Sequence, residues 1–86
     1  MYTKEVAVLC ESGLDTKKTA LFVQKAIEFP CEIYLESYNR KMNAKSFLGI
    51  LSLRIEKDET VTLSANGIDE QAAVEALEAL LQWDIY

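Results

Sequence analysis

Histidine is absent from all 86 residues, and with it go an imidazole general base, a histidine-phosphate intermediate and any mixed cysteine–histidine metal site. Cysteine is scarce as well. Cys10 and Cys31 form no C-x-x-C or metal-ligand pattern, and they read as two small core thiols in a reducing compartment. No apolar run approaches the roughly 18 residues of a membrane span, and Met1-Tyr2-Thr3-Lys4-Glu5 lacks the basic-then-apolar shape of a signal peptide. The expectation is a cytoplasmic chain with no membrane contact. Positive charge is the minority: nine Lys and Arg against fourteen Asp and Glu give a net charge of −5, which argues against direct binding to nucleic acid. The basic residues that exist are grouped, Lys17, Lys18 and Lys25 on one segment and Arg40, Lys41 and Lys45 on another.

Half of the residues are apolar, enough for a folded core, and the length suits one domain over 1–86 without linker, repeat or low-complexity stretch. Residues 4–10 alternate, with Val6, Val8 and Cys10 on one face, as a strand requires. From Thr16 to Phe29 the spacing turns helical, with Ala20, Val23 and Ile27 predicted inward, Thr19 and Ala26 beside them, and Lys18, Lys25 and Glu28 predicted to point away. Pro30 ends that helix. Cys31, Ile33 and Leu35 mark a second strand, Ser37-Tyr38-Asn39-Arg40 a hairpin turn with Asn39 as its left-handed candidate, and Arg40 to Ala44 a third strand. Ser46 to about Leu53 reads as a short helix and Thr60 to Asn66 as a fourth strand. Gly67 turns the chain into a final helix, Asp69 to Gln82, that uses Ala73, Leu77, Leu80 and Leu81. The order strand, helix, strand, strand, helix, strand, helix predicts an α+β two-layer sandwich with an antiparallel sheet. Periodicity alone leaves its strand order open between 1-4-2-3 and a ferredoxin-like arrangement.

Three blocks carry a resemblance. Ser12-Gly13-Leu14-Asp15-Thr16-Lys17-Lys18-Thr19-Ala20, followed by Val23-Gln24-Lys25-Ala26, is similar to the active-site turn and first helix of the HPr family, phosphocarriers of the bacterial sugar phosphotransferase system. That family reads Ser-Gly-(apolar)-His-(Ala/Thr)-Arg-Pro-Ala there. Lys45-Ser46-Phe47-Leu48-Gly49-Ile50-Leu51-Ser52-Leu53 resembles the family's regulatory serine block, and Ala65-Asn66-Gly67-Ile68-Asp69-Glu70 the entry to its last helix. The resemblance implies the HPr-like open-faced sandwich, strand order 1-4-2-3, with three helices on one face of the sheet. The family's phosphohistidine position is Asp15, its Arg-Pro is Lys17-Lys18, and Arg54 stands where the family commonly has glycine. In kind the chain resembles the catabolite-repression branch, in which the histidine is also replaced while the serine remains.

Each site residue has a structural and a functional reading. Asp15 is first a helix N-cap, its carboxylate taking the exposed N–H groups of the helix start; the sharper readings are an acyl-phosphate acceptor or a standing imitation of a phosphorylated carrier. Ser46 is likewise an N-cap, and by the resemblance a phosphorylation switch. Leu21, Leu48 and Leu51 are expected at the surface and Phe47 at its margin, with Ile50 and Leu53 inward, forming an apolar docking patch with Lys17 and Lys45 as its charge partners. The partners that the resemblance implies are HPr kinase/phosphorylase, a LacI-type transcription regulator as target of a corepressor, and other phosphotransferase-system proteins. No cofactor, metal or catalysis is expected, and self-association is left open. A degenerate, constitutive binding or oligomerising module is the rival reading.

Overall fold

The computed structural model describes residues 1–83. Its elements are β1 (Tyr2–Ala7), α1 (Thr16–Ile27), β2 (Glu32–Ser37), β3 (Arg40–Asn43), α2 (Phe47–Leu51), β4 (Thr60–Asn66) and α3 (Glu70–Gln82). The four strands form one antiparallel sheet in the order β1-β4-β2-β3. Register sets which side chains meet the helices. Val6 lies opposite Val61, Leu63 opposite Leu35, and Leu35 opposite Met42, so the even positions of β1 and the odd positions of β2 and β4 face one way. The alternate row, Glu5, Thr62, Glu36 and Lys41, faces solvent on the other side. The three helices cover the apolar face, and Phe22, Ile50, Val74, Leu77 and Leu81 are sealed against Val6, Ile33, Leu35 and Leu63.

The hairpin between β2 and β3 has two left-handed residues, Tyr38 at φ 49° and Asn39 at φ 65°. Positive φ at both central positions is the geometry whose twist matches the flanking strands, so Tyr38 shares a conformation predicted for Asn39 alone. In α3, Val74 joins the predicted Ala73, Leu77 and Leu81 in the core, while Leu80 is only half-buried. Glu70 accepts a hydrogen bond from the Gly67 N–H at 3.0 Å and pairs with the chain's N-terminal ammonium at 3.2 Å. That reach-back serves the helix start where the Asp69 side chain makes no cap.

Two expectations for α1 are corrected. Its buried stripe is Thr19, Phe22, Val23 and Ala26, one residue out of step with Ala20, Val23 and Ile27; Ala20 is exposed and Ile27 is 60% exposed. Both stripes contain Val23 and both fit the helical period, and the one carrying the larger aromatic side chain is the one that packs. Lys18 does not point away. It lies four residues before Phe22 on the same face and is fully buried, with its ammonium donating to the Trp83 carbonyl at 2.7 Å. The end of α3 presents the negative pole of the helix and accepts that charge, while the aliphatic stem packs as an apolar residue would.

Candidate functional site

The loop from β1 to α1 is shaped before the site is reached. Gly13 sits at φ 61°, and a Cβ there would meet the Ile55 carbonyl oxygen at 2.5 Å, so only glycine brings the loop against the segment after α2. The next backbone N–H, on Leu14, donates to that same Ile55 oxygen at 2.9 Å. This close approach places Asp15 beside α2.

Asp15 is the N-cap of α1, extended at φ −73° and ψ −175°, and its carboxylate accepts from the Lys18 N–H at 2.8 Å. Its own carbonyl accepts from the Thr19 N–H at 2.8 Å, which starts the helix. The Lys18 N–H above all, with the Ser12 hydroxyl and the nearby Lys17 ammonium, holds the carboxyl below the usual carboxylate range against an opposing desolvation. The carboxylate therefore stays ionised at neutral pH and occupies, with its own oxygen, the Lys18 N–H at the helix start.

Ser46 caps α2 in the same way, at φ −105° and ψ 109°, its Oγ accepting from the Gly49 N–H at 3.2 Å while the residue stays exposed. Lys45, on its other side, is half-buried and donates to the Phe29 carbonyl at 2.7 Å, fastening the β3–α2 loop to the end of α1. The 100° step of the five-residue helix puts Ile50 wholly inside and leaves Leu48 75% exposed; Phe47 and Leu51 are half-buried.

Between the start of α1 and the outer face of α2 runs a groove of about 550 Å³ lined by Leu14, Asp15, Thr16, Leu48, Leu51, Ser52 and Arg54. Of the residues singled out in the sequence, it brings together Asp15, Leu48 and Leu51. Lys17, Leu21, Lys45 and Phe47 are outside its lining, as is Ser46. Leu14, Thr16, Ser52 and Arg54 are lining residues that the sequence reading did not assign to a site. For Arg54 a signal existed, its replacement of a glycine, and the structure gives the reason glycine suits the position: φ is 50°. An L-residue held there carries about 1–2 kcal/mol of backbone strain. Ser52 closes α2, donating its hydroxyl to the Gly49 carbonyl at 2.7 Å and accepting from Arg40 at its own carbonyl at 3.2 Å.

An antiparallel β1-β4-β2-β3 sheet under three helices, with the capped start of α1 and the outer face of α2 bordering one groove, defines an open-faced sandwich of the phosphocarrier type. The PTS-HPr family model, described as the PTS HPr component phosphorylation site, matches residues 2–82. The chain therefore belongs to the HPr family of the phosphotransferase system. It is 45% identical over 82 residues to the HPr-like protein Crh of Halalkalibacterium halodurans, covering 95% of this chain and 98% of that one. Its fold superposes on the phosphocarrier HPr of Bacillus anthracis with a TM-score of 0.92 at 40% identity, over 94% of this chain and 96% of that one. The catabolite-repression protein Crh of Bacillus subtilis, whose crystal structure is reported as a domain-swapped dimer, matches at a TM-score of 0.77 and 41% identity over 100% and 99% of the two chains. Among the described residues no helix is long and apolar enough to cross a membrane, and no cluster of acidic residues and cysteines is placed to hold a metal ion.

Proposed function

We infer that this HPr-like chain is a single-domain cytoplasmic regulator of the catabolite-repression type, acting by contact and not by carrying phosphate, with Ser46 as its phosphorylation switch. The observation that carries this reading is the contrast between the two helix starts. At α1 the imidazole is absent and Asp15 takes the Lys18 N–H with its own carboxylate. At α2 a hydroxyl, exposed and already aimed at a helix N–H, stands beside exposed Leu48. A phosphoryl group on Ser46 would add about −1.5 to −2 charge at the positive end of a helix, favourable for α2 and new to the face that Leu48 and Leu51 share. HPr kinase/phosphorylase is the enzyme proposed to place it, and a LacI-type regulator the proposed target. Lys17, Leu21, Lys45 and Phe47 form the proposed rim of contact. The function needs no cofactor and no bond-making by the chain itself.

The test is incubation with HPr kinase/phosphorylase and a nucleotide, followed by mass spectrometry and binding to the LacI-type regulator. One phosphoryl group, lost in Ser46→Ala and required for binding, is expected. Absence of modification, or binding indifferent to it, would favour the constitutive module, a reading to which the dimer reported for the Bacillus subtilis relative also lends weight.

A further inference from the structure

Two lining residues of the groove depart from the HPr pattern, and both are charged: Asp15 and Arg54. They differ in how the fold uses them. The Asp15 carboxylate is held by the Lys18 N–H and the Ser12 hydroxyl. The exposed Arg54 guanidinium makes no hydrogen bond or ion pair with any described residue. Its backbone is at φ 50°, a conformation that glycine adopts freely and arginine only under strain. Arg54 thus loads the backbone without supporting the fold through its charge, and it stands at the edge of an apolar concavity walled by Leu14, Leu48 and Leu51.

Resting on the docking reading above, we propose that Arg54 sets partner specificity, clamping a partner carboxylate that lies beside an apolar anchor side chain seated between Leu48 and Leu51. The planar guanidinium offers two parallel donors to one carboxylate, which fixes direction as well as charge. Asp15 fixes polarity. An acid near the α1 wall of the groove would face its permanent negative charge, so the partner's carboxylate belongs at the Arg54 side and a basic or neutral residue at the Asp15 side.

A random peptide library displayed on phage, panned against the folded full chain with and without a phosphoryl group on Ser46, tests this without knowledge of the natural partner. Enriched peptides are expected to pair a leucine or aromatic residue with a nearby Asp or Glu. Their affinity should fall about tenfold for Arg54→Gly, the loss of one charge-assisted pair, and further for Arg54→Glu, with Arg54→Lys keeping part of it. Arg54→Gly relieves the backbone, so a loss of binding there is not a loss of fold; circular dichroism verifies it. Peptides that lose binding in Leu48→Asp yet carry no acid, or that bind Arg54→Gly as well as the parent, overturn the role of Arg54 and leave the docking groove standing. No enrichment on either form, or binding untouched by Leu48→Asp, overturns both.

Discussion

Replacing Asp15 by alanine removes an acceptor that takes the Lys18 N–H at 2.8 Å and receives the Ser12 hydroxyl. Loss of a capping side chain costs about 0.5–2 kcal/mol, typically near 1, and for a domain of this size 1 kcal/mol moves the thermal midpoint by about 4–8 °C. Asp15→Asn keeps the acceptor and discards the charge, so it should lose much less, and the two variants separate cap from charge. The pH dependence follows from the direction of the shift. The folded carboxyl titrates below its unfolded value, so the charge contribution is fully present above the ordinary aspartate range and is lost as pH falls through the lower, folded value. Thermal or urea unfolding followed by circular dichroism between neutral and acid pH should show parent and Asn variant converging as pH drops, with the Ala variant lowest at neutral pH. Equal midpoints for Ala and Asn at neutral pH would refute the capping argument. A binding defect in Asn at unchanged stability would instead assign the charge a role toward partners.

Ile50→Asp should unfold the domain, since a wholly buried site would receive a carboxylate with no counter-charge at a cost of several kcal/mol, whereas Leu48→Asp should stay within about 0.5 kcal/mol of the parent; equal unfolding of both by urea titration would mean that Leu48 is core. Arg54→Gly should raise stability by about 0.5 kcal/mol, because relief of about 1–2 kcal/mol of left-handed strain exceeds the roughly 0.4–1 kcal/mol of added unfolded-chain entropy, and a clear destabilisation would show that the side chain supports the fold. Lys18→Met should keep the packed stem yet cost about 1–3 kcal/mol through the abandoned Trp83 carbonyl, with faster hydrogen exchange at the end of α3; a neutral effect would deny that this buried lysine ties the two helices together. Asp15→His alone should restore no phosphotransfer from Enzyme I and labelled phosphoenolpyruvate, because Lys17 and Lys18 still stand where the family has arginine and proline.

The parts of this fold that were legible in the sequence are those whose signal is local. Ile33 and Leu35 alternate with Glu32, Tyr34 and Glu36, and the sheet buries one set and exposes or half-exposes the other. Ile50 inside and Leu48 outside follow from 100° per residue. What escaped was decided by distant chain. The stripe on α1 was ambiguous because Ala20, Val23 and Ile27 repeat at the same spacing as Thr19, Phe22 and Ala26, and only the neighbours that receive Phe22 choose between them. Lys18 goes inward because a carbonyl 65 residues later in the chain waits for its ammonium, a fact with no trace in the helical period. The groove was half visible for the same reason: Leu14 and Thr16 belong to one segment and Ser52 and Arg54 to another, and the turn at Gly13 that joins them acts through a backbone contact with Ile55.

Single exposed leucines are ordinary on small domains, so Leu48 alone would say little about docking. Its surroundings change the weight of that observation. Asp15 and Arg54, the two charges that stand where the family has its histidine and commonly a glycine, line the same groove as Leu48, although two helices and a hairpin separate them in the chain. One places a carboxylate on the Lys18 N–H at the start of α1. The other adds a guanidinium at a backbone position that penalises it. An apolar wall with charge of opposite sign at Asp15 and Arg54 is the arrangement that the proposed selective contact requires.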